Sequence, residues 1–133
     1  MEKIKRNLVA LRRNQDGGVS VEFMLWVPVF TALMTGAVDV GTIFTHKSNY
    51  WSTARDTARQ LARHSMTQAE AETYALQHAT FGSVTPVVNI SATPTEVTVR
   101  ISGEADTISA FGIFGALDGA NIAAEVTYAL EPT

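Results

Sequence analysis

Residues 17–38 read GGVSVEFMLWVPVFTALMTGAV, in which one acid, Glu22, stands at the mouth of sixteen consecutive uncharged residues, 23–38. A helix over those sixteen spans about 24 Å at ~1.5 Å per residue, short of the ~30 Å hydrocarbon layer of a bilayer. Adding residues 19–21 and 40–44 supplies the missing length, and it brings Glu22 and Asp39 to the two membrane boundaries. A charged side chain in that position is costly, so each acid needs a reason to be there. A cleaved secretory signal calls for a shorter apolar core followed by a small-residue cleavage site, and TGAVDVGTIF (residues 35–44) is a poor version of one. The core helix of a soluble protein would carry a polar stripe. A single transmembrane helix is therefore expected. Pro28 does not oppose it, because membrane helices tolerate proline where neighbouring groups take up the freed carbonyl.

Charge separates the two sides of this segment. The formal charge of the 133-residue chain is −3, yet residues 1–17 hold five cations (Lys3, Lys5, Arg6, Arg12, Arg13) against Glu2 and Asp16, a surplus of three, which leaves −6 for the rest. A basic flank before the apolar run, with only Lys47 close behind it, places the amino terminus in the cytoplasm by the positive-inside bias and sends the remainder across the membrane. An acidic exported body argues against a nucleic-acid partner, which requires a basic face. The chain has no cysteine, so disulfides and thiolate metal sites are excluded.

A basic leader, glycine, four small or apolar residues and then Glu-Phe opening a membrane helix resembles the processing site of type IV prepilins. The wider stretch, RRNQDGGVSVEFMLWVPVF (12–30), GAVDVGTIF (36–44) and ARDTARQLAR (54–63), is similar to the TadE-type pseudopilins of tight-adherence pilus systems. The resemblance implies cleavage between Gly17 and Gly18 by a prepilin peptidase, a processing site that includes Glu22 and Phe23, and Glu22 as the fifth residue of the mature chain. The new ammonium at Gly18 would then have a carboxylate one helical turn away, or on an adjacent subunit. A salt-bridged pair is tolerated in a low-dielectric bundle where either charge alone is expensive, and it fixes the register of neighbouring helices. The bland alternative is a glutamate that snorkels to the headgroups. Asp39 is read either as a boundary residue or as an interhelical partner. Ala32 with Gly36, and Ala37 with Gly41, are small-x-x-x-small pairs that allow close helix approach in lipid, or else ordinary usage of small residues.

Past Phe44 the helical pattern continues without glycine or proline to Met66, and Ala54, Ala58, Leu61, Ala62 and Ser65 form a narrow small-residue face. One helix over 18–64 is expected, about 70 Å long. Tyr50 and Trp51 lie too far past the apolar run for interface anchors and are expected to pack against the head. Arg55, Arg59 and Arg63 recur every fourth residue as a basic ridge, which is either a solvated face or a dock for an acidic partner subunit. Thr67 to Glu70 fits a capping box that opens a second helix to about Thr80. The period then changes to two: VVNISA (87–92) and EVTVRIS (96–102), parted by Thr93-Pro94-Thr95, read as a hairpin, and NIAAEVTYAL (121–130) as a third strand. ISAFGIFGALDG (108–119) reads as a short buried helix or as a loop under the sheet. The expected fold is α+β: a basic leader (1–17), a long transmembrane and stalk helix (18–64), then a small head (65–133) of one short helix and an antiparallel sheet.

The histidines, His46, His64 and His78, lack carboxylates at ligand spacing, and the sequence offers no phosphate loop or nucleophile motif, so neither metal, cofactor nor enzymatic activity is expected. The expected role is a minor pilin or pseudopilin, anchored by one span in a bacterial inner membrane with its head in the periplasm, from which it can join an extracellular pilus. As the resemblance implies, it would initiate or cap a tight-adherence pilus, with prepilin peptidase, other pilins, the assembly platform and membrane lipid as partners. The alternative is an uncleaved, membrane-anchored module whose head binds a periplasmic or surface ligand through its apolar ISAFGIFGAL region (108–117).

Overall fold

A computed structural model describes residues 18–112 and 120–132, apart from the side chain of Val19. The basic leader with Gly17, and residues 113–119 of the apolar glycine-rich stretch, lie outside the described residues. By its contacts the chain divides into two units, Met1–Thr35 and Gly36–Thr133.

Helix α1 runs Gly18–Ala62 and contains Pro28. In the first unit its two threonine hydroxyls are answered within the helix: Thr31 Oγ1 donates to the Val27 carbonyl at 2.8 Å, and Thr35 Oγ1 to that of Thr31 at 2.9 Å. Such back-bonding spares these two hydroxyls from standing bare in an apolar surrounding. The apolar side chains point outward, Phe23, Met24, Leu25, Leu33 and Met34 being among the most exposed.

In the second unit α1 acquires an inner face. Tyr50, Ala54, Thr57, Ala58, Leu61 and Ala62 are buried on it. Helix α2, Gln68–Ala79, adds Ala71, Ala75 and Ala79. With alanine at the helical contact positions the backbones can come close to the sheet, whose larger side chains fill the space between. That sheet is antiparallel in the order β1 (Val87–Ala92), β2 (Glu96–Glu104), β3 (Asn121–Ala129). The central strand alternates strictly, burying Val97, Val99 and Ile101. Each such side chain contributes about 1.5–3 kcal/mol on burial. The outer face carries polar cross-strand pairs, Thr98 with Thr127 (2.8 Å between hydroxyls) and Arg100 with Glu125 (3.4 Å). A four-residue helix, α3 (Ala105–Ile108), follows β2 and buries Ile108 beside the core.

Local signals set the boundaries. Glu70 N–H donates to Thr67 Oγ1, and the Thr67 backbone N–H returns to Glu70 Oε2 at 2.8 Å, so the capping box is formed. In the hairpin turn the Thr93 N–H donates to the Glu96 carbonyl at 2.8 Å. Helix α1 stops two residues before the expected His64, which takes a left-handed φ of 54° while the Ser65 N–H reaches back to the Gln60 carbonyl. The Ala62 carbonyl is satisfied from the far end of the chain, by the Glu131 N–H at 2.9 Å. One expectation fails: Tyr50 is fully buried, but Trp51 is half exposed, because a neighbouring residue on a helix is turned by about 100° and only one of the two can face the sheet. Position 103 in β2 has to be glycine, since a Cβ there would lie 2.7 Å from Tyr50 Oη and 3.1 Å from Ile108 Cδ1.

Candidate functional site

The site indicated by the sequence is α1 itself, and its residues separate into three groups. At its start, Gly18 and Glu22 stand one turn apart on the same side of the helix, both exposed, with Phe23 exposed beside them. Every described side chain from residue 18 to residue 38 is exposed or half-exposed, so this stretch presents apolar surface all round. It belongs to a helix long and apolar enough to cross a membrane, and one such helix fits a membrane anchor.

The small-residue pairs form the second group. Ala32, Ala37 and Gly41 are exposed and Gly36 half-exposed, and a Cβ added at Gly36 or Gly41 would meet no atom within 4 Å. The backbone at these positions is open to a neighbour.

Asp39 behaves differently. It is the first buried residue of α1, with no exposed surface. Its Oδ2 accepts from Ser109 Oγ at 2.6 Å and its Oδ1 from the Phe111 N–H at 2.8 Å, and Ser109 Oγ in turn accepts from the Gly112 N–H at 2.9 Å. Hydrogen bonds to a carboxylate are about twice as strong as neutral ones. The carboxylate thus ties the segment after α3 to the helix inside one chain. The inner face continues through His46, whose ring meets Phe81 edge-on at 5.3 Å and Tyr50 at 6.0 Å. His46 Nδ1 and Tyr50 Oη are buried without a hydrogen-bond partner.

The arginine ridge is the third group. Arg55 Nε donates to Tyr128 Oη and Arg63 Nε pairs with Glu131 Oε1, each at 3.4 Å, whereas Arg59 has no partner among the described residues. Two of the three guanidiniums are therefore engaged with the sheet and its carboxyl-terminal extension. Exposed pairs of this kind contribute little, about 0–1 kcal/mol.

The sequence pointed to none of these contacts: His46 was weighed only as a metal ligand, and Ser109 and Phe111 only as part of the 108–119 stretch. A signal did exist for the helix side: residues 39, 43, 46, 50, 54, 57 and 61 continue the small-residue stripe backwards at the 3.6 period. None existed for Ser109 and Phe111, some 70 positions from Asp39. Among the described residues no three His, Asp or Glu side chains are grouped so as to hold a metal ion.

No curated protein and no solved structure matches the chain. A family model does, over residues 17–63, from the glycine before α1 to the last arginine of the ridge; its description is TadE-like protein. That family suggests a minor pilin associated with the tight-adherence pilus system. Over residues 17–63, about a third of its length, the chain is similar to the TadE-like family.

Proposed function

We propose that the chain is a pseudopilin or minor pilin, an assembly subunit and not an enzyme, which is cut between Gly17 and Gly18 by a prepilin peptidase. It would be inserted with the amino terminus in the cytoplasm and the sheet domain on the periplasmic side, and would join other pilins through α1 to initiate or cap a tight-adherence pilus. The observation that carries this reading is Glu22: exposed, one turn after Gly18, at the mouth of an uncharged run inside a TadE-like segment. Cutting before Gly18 creates an ammonium that Glu22 neutralises, on its own helix or on a neighbour, so that neither charge enters lipid alone. The open backbone at Gly36 and Gly41 supports packing against a second helix.

Mass spectrometry of the protein extracted from membranes of cells with an active prepilin peptidase tests the first step. A chain beginning at Gly18 is expected; an intact leader in those cells, with complexes still forming, rules the reading out. Replacing Glu22 with alanine separates an assembly subunit from a tethered binding module: loss of co-purification with other pilins is expected of the first and not of the second.

A further inference from the structure

The sheet of the second unit has two edges, and the hydrogen-bond register decides what each one offers. The Leu130 N–H donates to the Thr95 carbonyl and the Ala105 N–H to the Ala120 carbonyl, both at 2.9 Å, and both pairs extend the register that joins Glu96 to Ala129 and Glu104 to Asn121. Bonded and non-bonded pairs alternate along an antiparallel ladder, so the even-numbered residues of β3 bond to β2. The odd ones, Asn121, Ala123, Glu125, Thr127 and Ala129, turn their N–H and C=O groups to the outer side. No partner for those groups stands among the described residues, and the edge is closed only past the strand, where the Glu131 N–H reaches the Ala62 carbonyl. On β1 the Thr93–Glu96 pair turns Val88, Ile90 and Ala92 outward in the same way, and there the Ile90 carbonyl accepts from Gln68 Nε2 of α2 at 3.2 Å. One edge is capped from a helix and the other is open.

An open edge is a template for another strand, and proteins blunt such edges with proline, lysine, a bulge or very short length. β3 has none of these. NIAAEVTYA runs nine residues without proline or lysine and in unbroken register, about 30 Å at ~3.3 Å per residue. Its core side is unfinished as well: Ile122, Val126 and Tyr128 pack on the core but stay partly exposed, whereas Val97, Val99 and Ile101 of the central strand are buried. A strand laid along β3 covers them and supplies the missing main-chain bonds, which is how strand addition gains affinity. Glu125 selects the occupant. It is the one charge of β3, at its midpoint, and its carboxylate faces Arg100 at 3.4 Å with about half of each side chain exposed. Antiparallel pairing with β3 of a second copy over all nine residues sets Glu125 against its own counterpart, and like charges directly opposite are destabilising. A strand with a cation at that place is favoured.

We propose that the outer edge of β3 accepts an extended strand from a different protein chain, apolar toward Val126 and Tyr128 and basic opposite Glu125, as the fourth strand of the sheet. The inference goes beyond the assembly role proposed above and depends neither on processing at Gly17 nor on the membrane span.

The probe is a synthetic peptide with the sequence of β2, EVTVRISGE (96–104), which has the required alternation and an arginine to stand opposite Glu125. Amide hydrogen exchange of the full-length protein in detergent micelles is followed by NMR with and without it. With the peptide at about ten times its Kd, the amides of Ala123, Glu125 and Thr127 are expected to exchange about tenfold more slowly, with no change at Val88 and Ala92 on β1. Methylating the backbone nitrogen of the peptide's arginine removes a donor that faces β3 and should abolish the protection; methylating that of the preceding valine, which faces away, should not. No protection by the parent peptide, or equal protection by the two methylated ones, overturns the proposal. Slow exchange at 123, 125 and 127 before any peptide is added overturns it too, in favour of a second copy if the protection fades on dilution and of cover by the chain itself if it does not.

Discussion

Glu22 and Asp39 are both carboxylates on α1, at the two ends of one uncharged run, and they meet opposite fates. Glu22 is exposed in a stretch whose described side chains are exposed or half-exposed; Asp39 is buried and holds a serine hydroxyl and a backbone N–H from 70 residues downstream. The same division holds for the apolar residues. From Val21 to Met34 the large apolar side chains are exposed among the described residues, and beyond Gly36 the helix turns small residues inward against a sheet. One element thus obeys two solvents. In the first unit the sequence is written for lipid or for other helices, where outward apolar surface is stable. In the second it is written for water, where apolar surface must be covered.

The largest expected effect separates the two units by truncation. Tyr50→Ala removes a fully buried ring and should lower the unfolding free energy of the second unit by about 3–5 kcal/mol. Leu33→Ala, exposed in the first unit, should leave it within about 0.5 kcal/mol. Chemical denaturation of full-length protein in detergent micelles, followed by loss of β-sheet circular dichroism, measures both; equal effects would abolish the distinction.

The two acids come next. Asp39→Ala leaves the Ser109 hydroxyl and the Phe111 N–H without their acceptor and should cost about 1.5–3 kcal/mol, with rapid hydrogen exchange at Phe111. Glu22→Ala should not change stability by more than about 0.5 kcal/mol, and its effect should appear only in complexes with other pilins. A stability loss at Glu22 as large as that at Asp39 would contradict the contrast drawn here.

Tyr50→Phe sharpens the point from the other side. The Tyr50 hydroxyl is buried without a hydrogen-bond partner and lies against Gly103, so removing it should be neutral or should raise the melting temperature, by a gain of up to about 1 kcal/mol. A clear loss would mean that the hydroxyl has a partner after all.

The smallest effect concerns Glu70. Its carboxyl is held below the usual carboxylate range, first by the backbone N–H of Thr67 and then by the Thr67 hydroxyl. A depressed folded value means that the capping box contributes fully above the unfolded value of 4.5 and loses its contribution as pH falls through the folded one. Melting temperatures of wild type and Glu70→Gln should therefore differ near neutral pH and converge in acid; a gap that persists in acid would assign the difference to something other than this charge.

Much of the architecture was legible because its causes are local. The uncharged run, the Thr67–Glu70 box, the Thr93-Pro94-Thr95 turn and the alternation in β2 each act over a few residues, and each stands where the sequence reading placed it. Trp51 was misjudged because the pattern announced an aromatic at the head without saying which of two neighbours faces it. The partners of Asp39 were illegible for a stronger reason: nothing in Ser109-Ala-Phe111 announces an affinity for a carboxylate on a distant helix.

The sequence by itself determined where the chain is helical, where it is extended, and that one segment is suited to lipid, because periodicity and uncharged length are properties of neighbours along the chain. Only the tertiary structure decided that Asp39 turns inward while Glu22 stays outside. The free energy of a buried charge depends on donors brought in from elsewhere, and those arrive only when the domain closes around the helix.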